Sequence, residues 1–120
     1  MDCIRQMWLN AVGASDQSGK VVESKRKMKL IGFSEEEFKS YCFDLMKAQN
    51  YLCKLTWLPL DIYRSNRDYM PSADRIDSDL GYQKGNIQIT CSFANRWKSD
   101  KTNEHFLSLL AAVKKVGSPI

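Results

Sequence analysis

Pro71 to Lys98 reads PSADRIDSDLGYQKGNIQITCSFANRWK, and the rest of the chain can be placed around it. PSADRID alternates apolar and polar residues and predicts a strand ending at Asp77. SDLGYQKG holds two glycines among short polar residues and predicts a turn. NIQIT is β-branched and alternating, with Ile87 and Ile89 on one face of a second strand. From Cys91 the period lengthens: Phe93, Ala94 and Trp97 share one face of a short helix, with Ser92 as its N-cap. A hairpin closed by a helix is a small scaffold that can aim polar side chains at one point. Asp74, Asn86 and Asn95 are the candidates, with Arg75, Arg96 and Lys98 nearby in sequence.

Composition bounds the setting. The chain has 120 residues, enough for one domain with a modest core, and 43% are hydrophobic. The net charge of +4, from 18 Lys and Arg against 14 Asp and Glu, permits a polyanionic partner without requiring one. No apolar run is long enough for a bilayer, and MDCIRQMW does not read as a signal peptide. The expected setting is therefore cytoplasmic, with no membrane partner.

Outward from the central stretch, Phe33–Asn50 carries the clearest helix signature. Ser34 and Glu37 form a capping box, and Phe33 and Phe38 a hydrophobic staple. Phe38, Tyr41, Cys42, Leu45 and Met46 supply the inward stripe. Asp2–Val12 predicts a short amphipathic helix, followed by a loop in GASDQSGK. Val21–Ile31 is basic through Lys25, Arg26, Lys27 and Lys29, as a helix or an extended arm. Tyr51–Leu60 predicts a strand limited by Pro59, and 61–70 a loop in which Arg64 and Arg67 are candidate phosphate-backbone contacts. Thr102 caps a last helix to about Val116, with Phe106, Leu109, Leu110 and Val113 inward. His105, in its first turn, is the only histidine.

The ordered set DRID, GY, GN and NRWK resembles the HNH, or ββα-metal, endonuclease motif. It is most similar to the DRID-type variant found in small phage and mobile-element proteins. The resemblance covers about a quarter of the chain well, and Asn50–Thr56 more weakly. It implies an α+β fold: a ββα core over 51–101, a helical part over 1–50 before it, and a C-terminal helix and tail over 102–120, all in one domain. It implies metal-dependent cleavage of phosphodiester bonds. Asp74 and Asn95 would be oxygen ligands of Mg²⁺ or Mn²⁺. Asn86 would hold the hairpin. Arg96 and Lys98, with Lys25 and Arg26 in the basic run, would face nucleic acid, DNA being the expected form.

One residue departs from the pattern where it matters most. The position after Asp74 is normally the histidine that accepts a proton from the attacking water. Here it is Arg75, whose guanidinium has no lone pair to do so. Losing a general base costs roughly 10²–10⁴-fold. Asp77 is the nearest substitute, predicted on the same side of the strand as Arg75, and His105 a second. Two classes of function stay open: an endonuclease or nickase, or a catalytically degenerate relative. The latter could be a phage-encoded inhibitor that binds a host nuclease, a CRISPR complex or another nucleoprotein. HNH relatives often carry zinc on two C-x-x-C knuckles. Here Cys53-Lys-Leu-Thr56 and Cys91-Ser-Phe-Ala94 each keep one cysteine, so no structural zinc is expected.

Overall fold

A computed structural model describes residues 2–21 and 32–116. The basic run holding Lys25 and Arg26 lies outside the described residues. The chain forms α1 (Asp2–Val21), α2 (Glu35–Ala48), β1 (Pro71–Arg75), β2 (Ile87–Cys91), α3 (Ser92–Lys98) and α4 (Asn103–Val116). The architecture is thus the expected α+β one, an antiparallel hairpin closed by a helix and flanked by helices on both sides.

α2 starts where its sequence says. The Ser34 amide donates to Glu37 Oε1 at 2.8 Å, and the Glu37 amide donates to Ser34 Oγ at 3.2 Å. Together they satisfy amides that the first turn leaves without helical acceptors. The Phe33 and Phe38 rings meet edge to face at 5.9 Å, completing the staple. Ser34→Ala is expected to cost about 1 kcal/mol without altering any distant site; an unchanged thermal midpoint would contradict this.

The core is built from one face of α1, one of α2 and one of the hairpin. Ile4, Met7 and Ala11 of α1 and Phe38, Cys42 and Met46 of α2 are buried with Ala73, Ile87, Ile89 and Cys91. Tyr82 joins them from the hairpin loop, 6.1 Å from Phe38, and fastens that loop to α2. Beside it, Gly85 adopts φ +85°, and its amide donates to the Tyr41 hydroxyl at 2.9 Å. A side chain there would be strained by the backbone alone.

Five local expectations are corrected. α1 runs on through the expected GASDQSGK loop to Val21; Gly and Ser lower helix propensity by only about 0.5–1 kcal/mol each, which a growing helix can absorb. Tyr51–Leu60 is not a strand. The chain turns through left-handed conformations at Asn50, Tyr51 and Trp57. It then closes a tight turn in which the Trp57 amide donates to Cys53 O at 2.9 Å and the Cys53 amide to Leu58 O at 2.8 Å. The outer edge of β2 is served instead by Gln49, whose amide group donates to Ile89 O and accepts from the Ile89 amide. α3 is capped by Cys91 rather than Ser92, whose hydroxyl donates to Met70 O. Finally, α3 turns Ala94 and Lys98 inward while Trp97 is 58% exposed. On α4, only Phe106 is fully buried; Leu109 and Val113 face outward.

Candidate functional site

Register decides what the hairpin presents. Ser72 faces Thr90 and Asp74 faces Gln88 across the ladder, while Ala73 faces Ile89 and Arg75 faces Ile87. Side chains alternate along a strand, so Ser72, Thr90, Asp74 and Gln88 share one polar face and Arg75 lies on the apolar one. β2 is buried at all five positions, so the polar face is covered too. What covers it is α3, whose i, i+3 spacing brings Asn95 and Lys98 down onto it, together with Asn103 at the start of α4.

The groups under that cover form a network around Asp74 and, beside it, a separate Asn95–Ser72 pair. Lys98 Nζ lies 3.1 Å from Asp74 Oδ2 and donates to Arg75 O at 3.0 Å. Lys98 is 0% and Asp74 4% exposed. Gln88 Nε2 donates to Asp74 Oδ2 at 2.8 Å, and Gln88 and Asn103 exchange a pair of amide hydrogen bonds. Asn95 Nδ2 donates to Ser72 Oγ at 2.6 Å. Burial pushes the Asp74 carboxyl above its ordinary range, opposed by the Gln88 hydrogen bond and the Lys98 charge. The Thr90 hydroxyl on the same face is buried with no partner among the described residues.

Of the expected residues, Asp74, Asn95 and Lys98 thus meet on one face. Arg75 points away from it, its guanidinium 5.2 Å over the Tyr82 ring; one of its nitrogens is buried and finds no partner among the described residues. Asp77 is exposed and accepts from the Asp79 amide at 3.0 Å, so it closes the turn after β1. It does not flank Asp74. Asn86 fastens that turn with three bonds: its Oδ1 accepts from the Asp77 amide, and its Nδ2 donates to Asp77 O and Gly81 O. Arg96 is on the surface, 2.6 Å from Asp68. Lys98, expected to face phosphates, is instead the counter-charge of Asp74. Ser72, Gln88, Thr90 and Asn103 were missed. The first three could have been read from strand alternation; Asn103 arrives only through the chain reversal after α3.

Could Asp74 and Asn95 hold a divalent cation? Both are hard oxygen donors, and the Oδ1 atom of each accepts no hydrogen bond among the described residues. The charge of Asp74, however, is already balanced by an ammonium 3.1 Å away. A cation bound at about 2.1–2.4 Å would share that carboxylate with a like charge. The residues as arranged do not fit a resident divalent cation while Lys98 stays in place. Among the described residues there is also no group of three His, Cys, Asp or Glu side chains placed to hold a metal.

At the start of β1, a second polar feature adjoins this network. Gln6, Asn10, Arg64, Arg67 and Ser92 line an open cavity of about 430 Å³ beside Pro71. It brings Arg64 and Arg67 to the end of the hairpin where β1 begins, beside the start of α3.

No family model matches the chain, and no curated protein matches it. A solved structure of the rare-cutting HNH restriction endonuclease PacI, described as perturbing DNA by an extraordinary mechanism, does match. The two are 19% identical; the match covers 93% of this chain and 77% of that one, with a TM-score of 0.61. The ββα arrangement with its flanking helices is therefore shared with an HNH endonuclease, and the likeness shows the fold. Among the described residues, no helix is long and apolar enough to cross a membrane.

Proposed function

We propose that this chain is a nucleic-acid-binding protein on an HNH scaffold, of the DRID type, that engages DNA chiefly through its phosphates and cleaves it poorly or not at all. The observation that carries this reading is the buried pair of Lys98 and Asp74, 3.1 Å apart. The ammonium occupies, beside the acidic residue of the motif, the charge position that the resemblance assigns to a divalent cation. With Arg75 in place of the proton acceptor and turned toward Tyr82, the site offers a carboxylate whose charge is already paired with an ammonium and, among the described residues, no base beside it.

Phosphate contact is left to the surface. Arg96 is half exposed, and its pairing with Asp68 is a solvent-facing one. Such pairs contribute about 0–1 kcal/mol, so Arg96 can exchange Asp68 for a phosphate at little cost. Arg67 stands near the same end of the hairpin. The partner is DNA itself or a host or phage nucleoprotein that presents it.

A second reading, a slow nickase dependent on Mg²⁺ or Mn²⁺, is favoured by the free Oδ1 atoms of Asp74 and Asn95. It requires Lys98 to withdraw. The two are separated by one set of measurements. Titration of a labelled duplex should give affinity that falls steeply with salt. Arg96→Glu should weaken it on all sequences alike and lower the slope of log K against log salt by about 1. Binding indifferent to salt would overturn the DNA reading and point to a protein surface. Supercoiled plasmid should remain intact with excess protein and Mn²⁺. Nicking that is lost in Asp74→Asn, in protein shown by its melt to be folded, would instead establish the nickase.

A further inference from the structure

Two surface features lie along α3, outside the buried network. At its start is the open cavity of about 430 Å³ beside Pro71. Its polar wall is Gln6, Asn10, Arg64, Arg67 and Ser92, and no acidic residue lines it among the described residues. Two guanidiniums without a carboxylate suit an anion. Toward the other end of α3 runs a row of aromatic rings. The helical turn Arg67–Tyr69 packs against α3. Tyr69, Phe93 and Trp97 then follow one another with ring centroids 5.9 and 5.2 Å apart, each pair nearly perpendicular. The row ends on Trp97, which keeps most of its surface in solvent. Charged groups border it: Lys101 Nζ donates to Trp97 O at 3.3 Å, and Arg96 stands against Asp68.

On the nucleic-acid-binding reading above, on which this rests, we propose that the surface along α3 binds an unpaired strand. A phosphate sits in the cavity of Arg64 and Arg67, and a base stacks on Trp97. Single strands are held by cations that follow the backbone and by aromatic rings that take successive bases. Both are present here at a matching separation. An α-helix rises about 1.5 Å per residue, which puts Ser92 and Trp97 about 7.5 Å apart along α3. Successive nucleotides of a stacked strand are roughly 3.4 Å apart, so the two features are about two steps from one another.

The pairing of features selects the ligand. In a duplex each base face is covered by its neighbours in the stack, so an indole meets edges and sugars and gains little. An unpaired strand offers, in every repeat, one anion and one flat apolar face. An apolar protein partner would cover the rings but leave the arginines of the cavity without a counter-charge, and burying such a cation unpaired is costly. The competing occupant is a second copy of this chain, because Trp97 also borders Leu109 and Val113 of α4.

The test is fluorescence anisotropy of the full chain with a labelled oligothymidylate of about 12 nucleotides, a length within the usual range of such sites, and with the same strand paired to its complement. Wild type should bind the single strand more tightly than the duplex. Trp97→Ala should weaken single-strand binding by at least about fivefold while leaving the duplex affinity within about twofold. Trp97→Phe, which keeps a ring, should restore most of the loss. Arg67→Glu should weaken single-strand binding and lower its slope of log K against log salt by about 1. Trp97 and Arg67 are both exposed, so these variants should melt as wild type does. Equal single-strand affinity in wild type and Trp97→Ala overturns the proposal. So does a dimer, seen by sedimentation, that Trp97→Ala dissolves, since the rings would then belong to a second copy. Duplex binding without single-strand binding overturns this site alone, whereas binding of neither takes the DNA reading with it.

Discussion

Lys98→Met should remove about 3–5 kcal/mol of folding stability, a large share of the 5–15 kcal/mol that a domain of this size has. Methionine fits the space of the lysine stem but leaves the Asp74 carboxylate, 4% exposed, with Gln88 as its remaining donor. The loss therefore reflects a stranded charge more than a lost attraction. Two further results distinguish that cause. Asp74→Asn combined with Lys98→Met should recover most of the loss, because neither charge then remains in the core. The single variant should also regain stability relative to wild type as the solution is acidified. Burial already raises the Asp74 pKa above its unfolded value in the intact protein, and removing the ammonium raises it further. The penalty is thus fully present above the folded pKa and is relieved as pH falls through it. Urea melts of the four proteins of this cycle, at neutral and mildly acidic pH, measure both effects. Additive single and double losses would mean that the pair is not coupled, and the reading of Lys98 as the occupant of the charge site would fall.

Asn86→Ala should cost about 2–4 kcal/mol, because it leaves the Asp77 amide and the buried Gly81 O without their partner at roughly 1–3 kcal/mol each, while Asp77 O keeps the Leu80 amide at 3.1 Å. The Asn86 side chain is the acceptor for the Asp77 amide and the donor to Asp77 O and Gly81 O. No other side chain reaches those groups among the described residues. The hairpin loop between them positions Tyr82 against Phe38 and, through it, Arg75. Loss of the clamp should therefore spread. Hydrogen exchange at Ile76 and Asp77 should accelerate first, with the ladder behind them following. Asn86→Asp should be nearly as damaging, because it keeps the acceptor but turns a second one toward two carbonyls. Gln83→Ala, in the same loop with an exposed side chain, is the control and should be close to neutral. An Asn86→Ala protein with wild-type stability would show that the clamp is dispensable and that hairpin register rests on the apolar face alone.

Local chemistry was enough to read much of this molecule. The capping box of Ser34 and Glu37, the staple of Phe33 and Phe38, the hairpin around Asn86 and the helix after Cys91 all depend on residues close in sequence, whose spacing fixes their mutual geometry. What the sequence could not decide was which long-range partner each element would find. Tyr51–Leu60 has strand propensity, yet Gln49 and Lys54 satisfy the edge of β2 from a turn. Once those backbone groups have partners, a third strand gains nothing. Helical period placed Phe93, Ala94 and Trp97 on one face without saying which face would be buried. That was settled by the polar side of the hairpin, where a lysine finds an aspartate and a tryptophan finds no partner. The resemblance to the HNH motif made Asp74 and Asn95 two expected oxygen ligands. Only packing disclosed that Lys98 reaches Asp74 first, because the charge of a buried carboxylate must be balanced by whatever cation the fold brings nearest.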